Sequence, residues 1–267
     1  MIKFFRKKRY DLMEKKNTGK YFKYAIGEIV LVVIGILIAL SINNWNTNRL
    51  NNKLEKEILN NLKKDLILEL DNLDHHKTMQ NIWINSGIEI LKNYDSNDGF
   101  LVDEKLLASI NDLMIRNAFL PIKPTYQTIE NTGQINLINN SNLKEEILIY
   151  YKDMSWFSKN TTNNNTYLVD QLVNNKLIEL TFFQTNSFSK EMREEWKVLD
   201  IDNYKLQKSN RFIEQIQKEL NNSAKSLNLI NVVSFRMFLA NIQIDFVQTS
   251  ESDTRNLIKS LEVELNK

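Results

Sequence analysis

The stretch that decides the fold is Tyr24–Trp45, YAIGEIVLVVIGILIALSINNW. Its apolar core, Ile29–Leu40, is uninterrupted, and with its flanks the segment comes near the ~20 residues that a helix needs to cross ~30 Å of hydrocarbon. Because lipid cannot satisfy backbone polar groups, an isolated span must be a helix. Tyr24 and Trp45 lie at the two ends, where aromatic rings favour the membrane interface. We therefore predict a transmembrane helix over residues 24–45, with the lipid bilayer as its partner.

The charges on either side of this segment predict its orientation. Residues 1–23 hold nine Lys and Arg side chains against two carboxylates, whereas basic and acidic residues are mixed beyond Trp45. The positive-inside rule places the N-terminus in the cytoplasm. In a bacterium with two membranes, residues 46–267 then form a periplasmic domain on a single-pass inner-membrane anchor. A cleaved signal peptide is the alternative, because Ala39-Leu40-Ser41 resembles a cleavage site; the long basic region and Glu28 favour an uncleaved anchor.

The basic tail, residues 1–23, has two interpretations. Five residues share one helical face, with Lys and Arg on much of the rest, which is typical of an interfacial helix on anionic lipid; they are Ile2, Phe5, Arg9, Leu12 and Met13. The alternative is that the basic residues only set the topology.

Small and polar residues form a stripe along the apolar segment. Gly35 and Ala39 are a small-xxx-small pair, and Asn43 follows one turn later on the same face. The stripe predicts association of membrane helices, as a homo-oligomer or with another membrane protein, although small residues are common in spans. Glu28 lies about one turn inside the boundary, where lysines or lipid headgroups would satisfy it; a functional intramembrane carboxylate is the alternative.

The composition of the remaining 222 residues predicts an all-α domain. The whole chain contains six Gly, two Pro and no Cys, which excludes disulfides and thiolate chemistry. The residues after the tail carry 26 basic and 31 acidic side chains, so the exported part lacks the basic surface of a nucleic-acid-binding protein. Leucines and isoleucines recur every three or four residues from Leu50 to Leu73, which indicates that the anchor helix continues as a stalk. The stripe fits the core of an antiparallel helical bundle better than a coiled coil.

Further signals place the other helices. We expect the final helix, Leu227–Leu265, to pack beside the stalk, with a break near Ser250–Ser252. The remaining predicted helices are Met79–Tyr94, a short helix Tyr126–Asn131 capped by Thr125 and ended near Gly133, Tyr167–Leu180, and Tyr204–Leu220. Asp103 is predicted to cap one further helix, and Asn142 with Glu145 to form the capping pair of another. Between the helices we expect a turn at Asp95–Gly99, an extended crossing at Pro121 and Pro124, an interruption or polar turn at Thr161–Thr166, and a loop Thr181–Ser189 that packs Phe182, Phe183 and Phe188 onto the core.

Two blocks of the chain resemble a known family. They are GKYFKYAIGEIVLVVIGILIALSINNWN (Gly19–Asn46), after the opening MIKFFRK, and PTYQTIENTGQINLINNSNLKEEILIYY (Pro124–Tyr151). The chain is similar over its whole length to an uncharacterised membrane-protein family of Bacteroidota, a domain of unknown function. The resemblance implies a single-pass inner-membrane protein with a helical exported domain. It implies no activity, catalytic residue or ligand.

Candidate chemistry is sparse. His75 and His76 are the only histidines, and adjacent helical positions point about 100° apart, so Asp71 and His75 give at most two ligands where a metal needs three or four. We expect both histidines on exposed helix surface or at a helix end. The sequence has no nucleophile elbow, P-loop or dinucleotide fingerprint, and Glu145-Glu146 and Glu194-Glu195 fit solvated faces. We predict no enzyme, no catalytic residue, no metal and no cofactor.

The aromatic residues between Tyr126 and Phe157 are the most distinctive exported block. Tyr126, Tyr150 and Tyr151 are candidates for a partner surface, although burial in the core is the simpler role for aromatics. The sequence therefore predicts a membrane-anchored, non-enzymatic envelope interaction or scaffold subunit. The alternative is a periplasmic bundle that senses a ligand and signals through a membrane partner.

Overall fold

The computed structural model describes residues 6, 10, 18–183, 187–197, 206 and 209–267, without the side chains of residues 18, 20, 21 and 24. Within these ranges the regular structure is helical and contains no strand, which confirms the all-α class. The proposed interfacial helix in residues 1–23, and the start of the helix expected at Tyr204, lie mostly outside the described residues.

The helices follow the predicted order, except that the stretch Met79–Tyr94 continues the first helix and that the short helix Lys190–Glu195 has no predicted counterpart. Their bounds are α1 Thr18–Asn97, α2 Glu104–Met114, α3 Pro124–Asn131, a 3-10 turn Gln134–Leu137, α4 Ser141–Asn163, a π-helical segment Asn164–Asn174 with a last α-turn Asn175–Leu177, α5 Lys190–Glu195, α6 Asn210–Leu220 and α7 Ser223–Leu265. The prediction that the apolar helix continues into the stalk without a break is confirmed, because α1 is one unbroken helix up to Asn97.

The chain divides into two compact units, Met1–Glu57 and Ile58–Lys267. In the first unit, the apolar side chains of Ile29–Leu40 are exposed, most of them by about half. The described helices α1 and α7 are each long and apolar enough to cross a membrane. Length and composition alone do not separate a span from a core helix. The most apolar 18-residue stretch of α1 contains no buried residue, whereas a third of the residues in the most apolar stretch of α7 are buried.

In the second unit, α7 returns antiparallel to α1, as the sequence predicts. Ion pairs join Lys63 to Glu262 at 2.7 Å and Lys77 to Glu251 at 3.4 Å, so the partners descend in α7 as they ascend in α1. The two helices approach closely at Gly87, where an added Cβ would lie 2.4 Å from Cγ of Met237. Gly87 therefore permits the two backbones to come together.

The hydrophobic core confirms part of the stalk prediction. The stripe residues Ile58, Leu62, Leu66 and Leu73 are buried in the bundle, whereas Leu50 is exposed. A larger cluster joins the second half of α1 to α2, α6 and α7; its largest members include Trp83, Met79, Ile90, Ile110, Leu113, Phe188 and Leu229. The core thus comes from helices distant in sequence.

Some helix ends are as predicted and others are not. Asp103 caps α2 by accepting the Leu106 N–H at 2.7 Å, and Gly133 follows α3 in the left-handed conformation. Thr125 is not the cap of α3, because Pro124 already begins the helix and its fixed φ suits a first turn. The cap of α4 is Asn140 rather than Asn142, since its side chain accepts the Leu143 N–H at 3.2 Å.

The expected interruption at Thr161–Thr166 is wrong, because the chain stays helical there and widens into the π-helical segment. Asn165 and Asn174 donate to the carbonyls of Asn117 and Met114 at 3.0 and 3.1 Å, so this polar run is tied to the segment after α2. The break expected at Ser250–Ser252 is also absent, since α7 continues through it.

The loop after Leu180 tucks only some of its phenylalanines onto the core. Phe188 is buried and Phe182 packs against the core, whereas Phe183 is exposed. Phe182 stacks on Phe212 of α6, with ring centroids 5.1 Å apart. Phe183 contacts the buried Phe188 ring, with centroids 5.5 Å apart, while much of its own surface stays exposed.

Candidate functional site

A layer of polar side chains crosses the interior of the bundle. It consists of His76, Gln80 and Trp83 from α1, Thr161 from α4, and Arg236 and Gln243 from α7, and we call it the polar layer. Spacings of three, four and seven residues place the members from α1 on one face and those from α7 on another. Every member is at most 5% exposed. Buried polar groups need partners, so this layer is the most unusual chemistry in the described structure.

Arg236 is the only charged member of the polar layer. Its Nε and Nη2 each donate, at 3.2 Å, to the carbonyls of Leu113 and Ile115 at the end of α2. Its Cζ lies 3.8 Å from the ring centroid of Trp83. The carboxyl end of a helix favours a cation. Burial lowers the pKa of Arg236 to about 9, so it stays protonated at neutral pH. Among the described residues, no carboxylate pairs with it.

His76 occupies the other end of the layer. Phe119 and Phe157 contact the ring edge-on, with centroids 5.4 and 5.7 Å away. Gln80 Nε2 lies 3.2 Å from His76 Nε2; an amide nitrogen can only donate, so this orientation makes Nε2 the acceptor and leaves the proton on Nδ1. Burial lowers the pKa of His76 to about 4, so the ring is neutral at pH 7.

Several atoms of the polar layer lack hydrogen-bond partners among the described residues. They are His76 Nδ1, Gln80 Oε1, Trp83 Nε1 and Gln243 Nε2. The nearby Gln243 side chain raises the pKa of His76 and so opposes the effect of burial. The two side chains nevertheless do not meet the geometry of an ordinary hydrogen bond. Thr161 Oγ1 lies 3.0 Å from both Gln243 Oε1 and the Phe157 carbonyl oxygen, and its single proton can be donated to only one of them. The layer therefore contains buried polar atoms whose hydrogen bonds are incomplete within the described residues.

Two buried carboxylates of α1 accept hydrogen bonds from the backbone of residues 121–125, which we call the proline segment. Asp65 accepts the Thr125 N–H at 2.9 Å, and Glu69 accepts the Ile122 N–H. Asp65 thereby serves α3 as an N-terminal cap that its own Lys123 does not provide. Burial raises the pKa of Glu69 to about 7, even though its hydrogen bonds act in the opposite direction. This carboxyl changes charge near neutral pH.

The structure brings together the three tyrosines singled out from the sequence, all of them buried. Tyr126 stacks on Tyr151 with centroids 4.2 Å apart, and the Tyr150 hydroxyl lies 2.9 Å from Oγ1 of Thr254. Trp156 of the same block is the exposed member, and its ring edge contacts Phe246. The partner-surface role of the tyrosines stays a prediction, and only their packing role is visible.

A groove of about 350 Å³ runs beside these tyrosines, between α4 and α7. Apolar side chains form part of its lining, and Glu146, Asp153 and Asp253 contribute carboxylates. The groove contains no Lys or Arg in its lining.

The residues proposed for membrane-helix association lie on the exposed part of α1. Gly35, Ala39 and Asn43 are all exposed, and nothing surrounds the position of a Cβ added at Gly35. Their role in association stays a prediction. In the same unit, Arg49 lies near the Trp45 ring, with Cζ 5.7 Å from its centroid.

The expectation for the histidines is half wrong. His75 is exposed and contacts Glu195 of α5, whereas His76 is buried in the polar layer. Asp71 is exposed and contributes to no metal cluster, since the described residues contain no group of three His, Cys, Asp or Glu able to hold an ion.

Sequence reasoning missed Gln80, Arg236 and Gln243. A signal for Arg236 was present: it is the one charge in the apolar run Leu229–Ile242 (LINVVSFRMFLANI). A lone charge on an otherwise buried face indicates a specific interior partner, because burial of an unpaired charge is costly. For Gln80 and Gln243 the sequence holds no comparable signal, since glutamine is equally common on exposed helix faces.

Comparisons with known proteins agree with part of the expected resemblance. The model of a family of unknown function, DUF6090, matches residues 28–190. The match contains the second recurring block, Pro124–Tyr151, and ends before α7, so the expected similarity over the whole chain is not met. No curated protein and no solved structure matches this chain. Because the match covers more than half of the residues, the chain belongs to the family of unknown function DUF6090.

Proposed function

We propose that this protein is a membrane-anchored, non-enzymatic helical subunit that engages a partner in the cell envelope. Residues 24–45 span the inner membrane, the N-terminus is cytoplasmic, and the bundle is periplasmic. The observation that carries the proposal is the exposure of the apolar side chains of Ile29–Leu40 within an unbroken helix. The basic tail supports the orientation.

The energetics favour a lipid environment for this segment. Full burial of one large aliphatic side chain is worth about 1.5–3 kcal/mol. Ile29–Leu40 offers a full ring of such side chains in the first unit, and none of them is covered there. A continuous apolar surface of this kind marks contact with membrane or partner rather than with water.

A fusion of a periplasm-specific reporter to Lys267 tests the orientation, and N-terminal sequencing of the membrane-bound protein tests the anchor. We expect reporter activity and an intact Met1. A reporter active only in the cytoplasm contradicts the topology, and a new N-terminus at Ser41 or nearby shows a cleaved signal peptide instead.

The partner contact is open to cross-linking, because the chain contains no cysteine and single-cysteine variants carry no background. We expect Gly35→Cys and Ala39→Cys to form disulfide-linked dimers in membranes if the face that carries Gly35, Ala39 and Asn43 mediates self-association. Leu37→Cys is the matched control, since position 37 faces the opposite side of the helix. Equal yields at all three positions contradict a specific helix interface.

A partner other than a second copy of this chain is tested by purification in mild detergent, followed by mass spectrometry of the proteins that co-purify. A monomer without any partner contradicts the proposal.

A separate observation favours the ligand-sensing alternative. The polar layer places polar atoms with incomplete hydrogen bonds inside the bundle, which a scaffold does not require. In this alternative, the bundle passes its signal to a partner in the membrane.

A further inference from the structure

We propose that the groove between α4 and α7 binds a linear aliphatic polyamine, in which methylene chains join two or more ammonium groups. This inference rests on the ligand-sensing alternative, which it deepens by naming the ligand class, and it does not depend on the membrane-interaction proposal. Three properties of the groove support it: its apolar floor, its negative charge and the spacing of its carboxylates.

The groove has the size and the apolar floor of a small-molecule site. Its volume is about 350 Å³, within the range of about 300–1,000 Å³ that such sites occupy. Tyr150, Met154 and Leu257 line it and are buried, so core packing fixes their positions. Ile149 also lines the groove but is half-exposed to water. A methylene chain that lies on these side chains removes apolar surface from water, which favours binding.

The charged groups of the groove are all acidic. Glu146 and Asp153 of α4 and Asp253 of α7 line it, and its lining contains no Lys, Arg or His. All three residues are exposed, and no ion pair within the part of the chain that the structure describes includes any of them. A cation therefore does not have to displace a basic side chain of the protein. An anionic ligand meets only like charge, so charge complementarity selects a cation.

The spacing of the carboxylates favours a polyamine over a single metal ion. Glu146 and Asp153 lie two helical turns apart on one face of α4, which corresponds to about 10 Å along the axis. The oxygen ligands of one hard cation lie about 2–2.6 Å from it, so residues two turns apart are poorly placed to share an ion. Among the described residues, no group of three His, Cys, Asp or Glu is placed to hold a metal. A polyamine instead distributes its charges along a chain, so its ammonium groups meet the carboxylates at separate points.

The α7 side of the groove adds neutral polar groups. Ser250, Asn256 and Ser260 line the groove beside Asp253. An ammonium group has three N–H donors and no acceptor, so it needs acceptors in addition to a carboxylate. Hydroxyl and amide oxygens are acceptors of this kind, and they add no positive charge that would repel the ligand.

Calorimetric titration of the full chain with spermidine, in a non-ionic detergent at pH 7 and constant ionic strength, tests the proposal. We expect saturable binding of one spermidine per chain. n-Butylammonium carries one charge and should bind at least about ten-fold more weakly, because it meets one carboxylate at a time. Of two diamines with the same charge, 1,3-diaminopropane should bind several-fold more weakly than 1,5-diaminopentane, since its shorter chain covers less of the floor.

Matched substitutions locate the site. Asp153→Asn and Asp253→Asn each remove one charge of the groove with little change of shape, and each should weaken spermidine binding several-fold. Glu145→Gln and Asp245→Asn remove exposed carboxylates of the same two helices that do not line the groove, and should leave the affinity unchanged. Circular dichroism of the four variants checks that the helical content is the same.

A second readout reports on the floor of the groove. In protein labelled with ¹³C at the methionine methyl groups, spermidine should shift the Met154 resonance and leave that of Met192, which does not line the groove, in place. The proposal is overturned if spermidine does not bind, if n-butylammonium binds as tightly, if the control substitutions weaken binding as much as those in the groove, or if the Met154 resonance does not move. The cross-linking and topology experiments keep their meaning in each of these cases, because they test the membrane proposal alone.

Discussion

Arg236 of α7 lies over the indole ring of Trp83 of α1, with Cζ 3.8 Å from the ring centroid. The same guanidinium donates to the last carbonyls of α2, so one side chain joins three helices. This arrangement compensates a buried charge without an acid. It uses the negative end of a helix and the face of an aromatic ring, both of which attract cations.

Replacement of Arg236 should destabilise the bundle. Arg236→Met keeps much of the side-chain volume but leaves the carbonyls of Leu113 and Ile115 without their donors. We expect a loss of about 2–4 kcal/mol in the free energy of unfolding, because each unsatisfied buried group costs about 1–3 kcal/mol. Urea denaturation followed by circular dichroism measures it. Arg255→Met, an exposed position on the same helix, should change stability by less than about 0.5 kcal/mol. Equal effects of the two substitutions would show that Arg236 has no special role.

The close contact at Gly87 predicts a coupling between two positions. Gly87→Ala places a methyl group within 2.4 Å of Met237 Cγ and Sδ, so it should destabilise the protein by about 1–3 kcal/mol despite the better helix propensity of alanine. In a Met237→Ala background the clash is gone, and Gly87→Ala should become neutral or stabilising by up to about 1 kcal/mol. Thermal or chemical unfolding of the four proteins measures the cycle. Additive effects would contradict the packing of α7 against α1 at this point.

Glu69 should make stability depend on pH. Its pKa in the folded protein is about 7, above the ordinary 4.5 of a glutamate, because burial disfavours the charged form. Its contribution to stability is therefore fully present below about pH 4.5 and falls as pH rises to about 7. Glu69→Gln stays neutral throughout, so the difference between wild type and Glu69→Gln should move against wild type over this range, by at most on the order of 3 kcal/mol.

The test is the difference in unfolding free energy between wild type and Glu69→Gln at each pH, rather than the pH dependence of either protein alone. His76 acts in the opposite direction, because its lowered pKa removes stability as pH falls through about 6.5 towards 4. That term is common to both proteins and cancels in the difference. A difference that stays constant between pH 4.5 and 7 would contradict the buried state of Glu69.

Asp65 should protect the start of α3. Asp65→Ala removes the acceptor of the Thr125 N–H, and loss of a helix cap costs about 1 kcal/mol. We expect faster hydrogen exchange of the Thr125 amide and its neighbours, with little change in α4. Asp71→Ala is the control, because Asp71 is an exposed carboxylate on the same helix. Unchanged exchange in Asp65→Ala would show that the first turn of α3 is held by Pro124 alone.

The sequence predicts local features well where one residue type dictates the backbone. The predictions for Asp103 and Gly133 are confirmed, because a cap needs a side-chain acceptor and a left-handed residue favours glycine. The predictions of Thr125 and Asn142 as caps are wrong. The N–H of Thr125 is satisfied by Asp65, 60 residues away in the chain, and the true cap of α4 stands two residues earlier.

The candidate site could not be found in the same way. His76 reads as one of two adjacent histidines on a polar stretch, and only packing against Phe119 and Phe157 makes it buried and neutral. Arg236 and Gln243 become members of one layer only because α7 runs antiparallel to α1. A helix pattern predicts which face is apolar, but the partner across that face depends on the register between helices.

By itself, the sequence determined the helical class, the apolar segment of residues 24–45 and the charge difference across it, because periodicity, composition and charge are local properties. The tertiary structure decided which polar groups lose water. It brought the side chains of α1, α4 and α7 into one buried layer and carried two carboxylates under the proline segment. Desolvation depends on all neighbours in space, and those neighbours are set by the packing of helices that lie far apart in the chain.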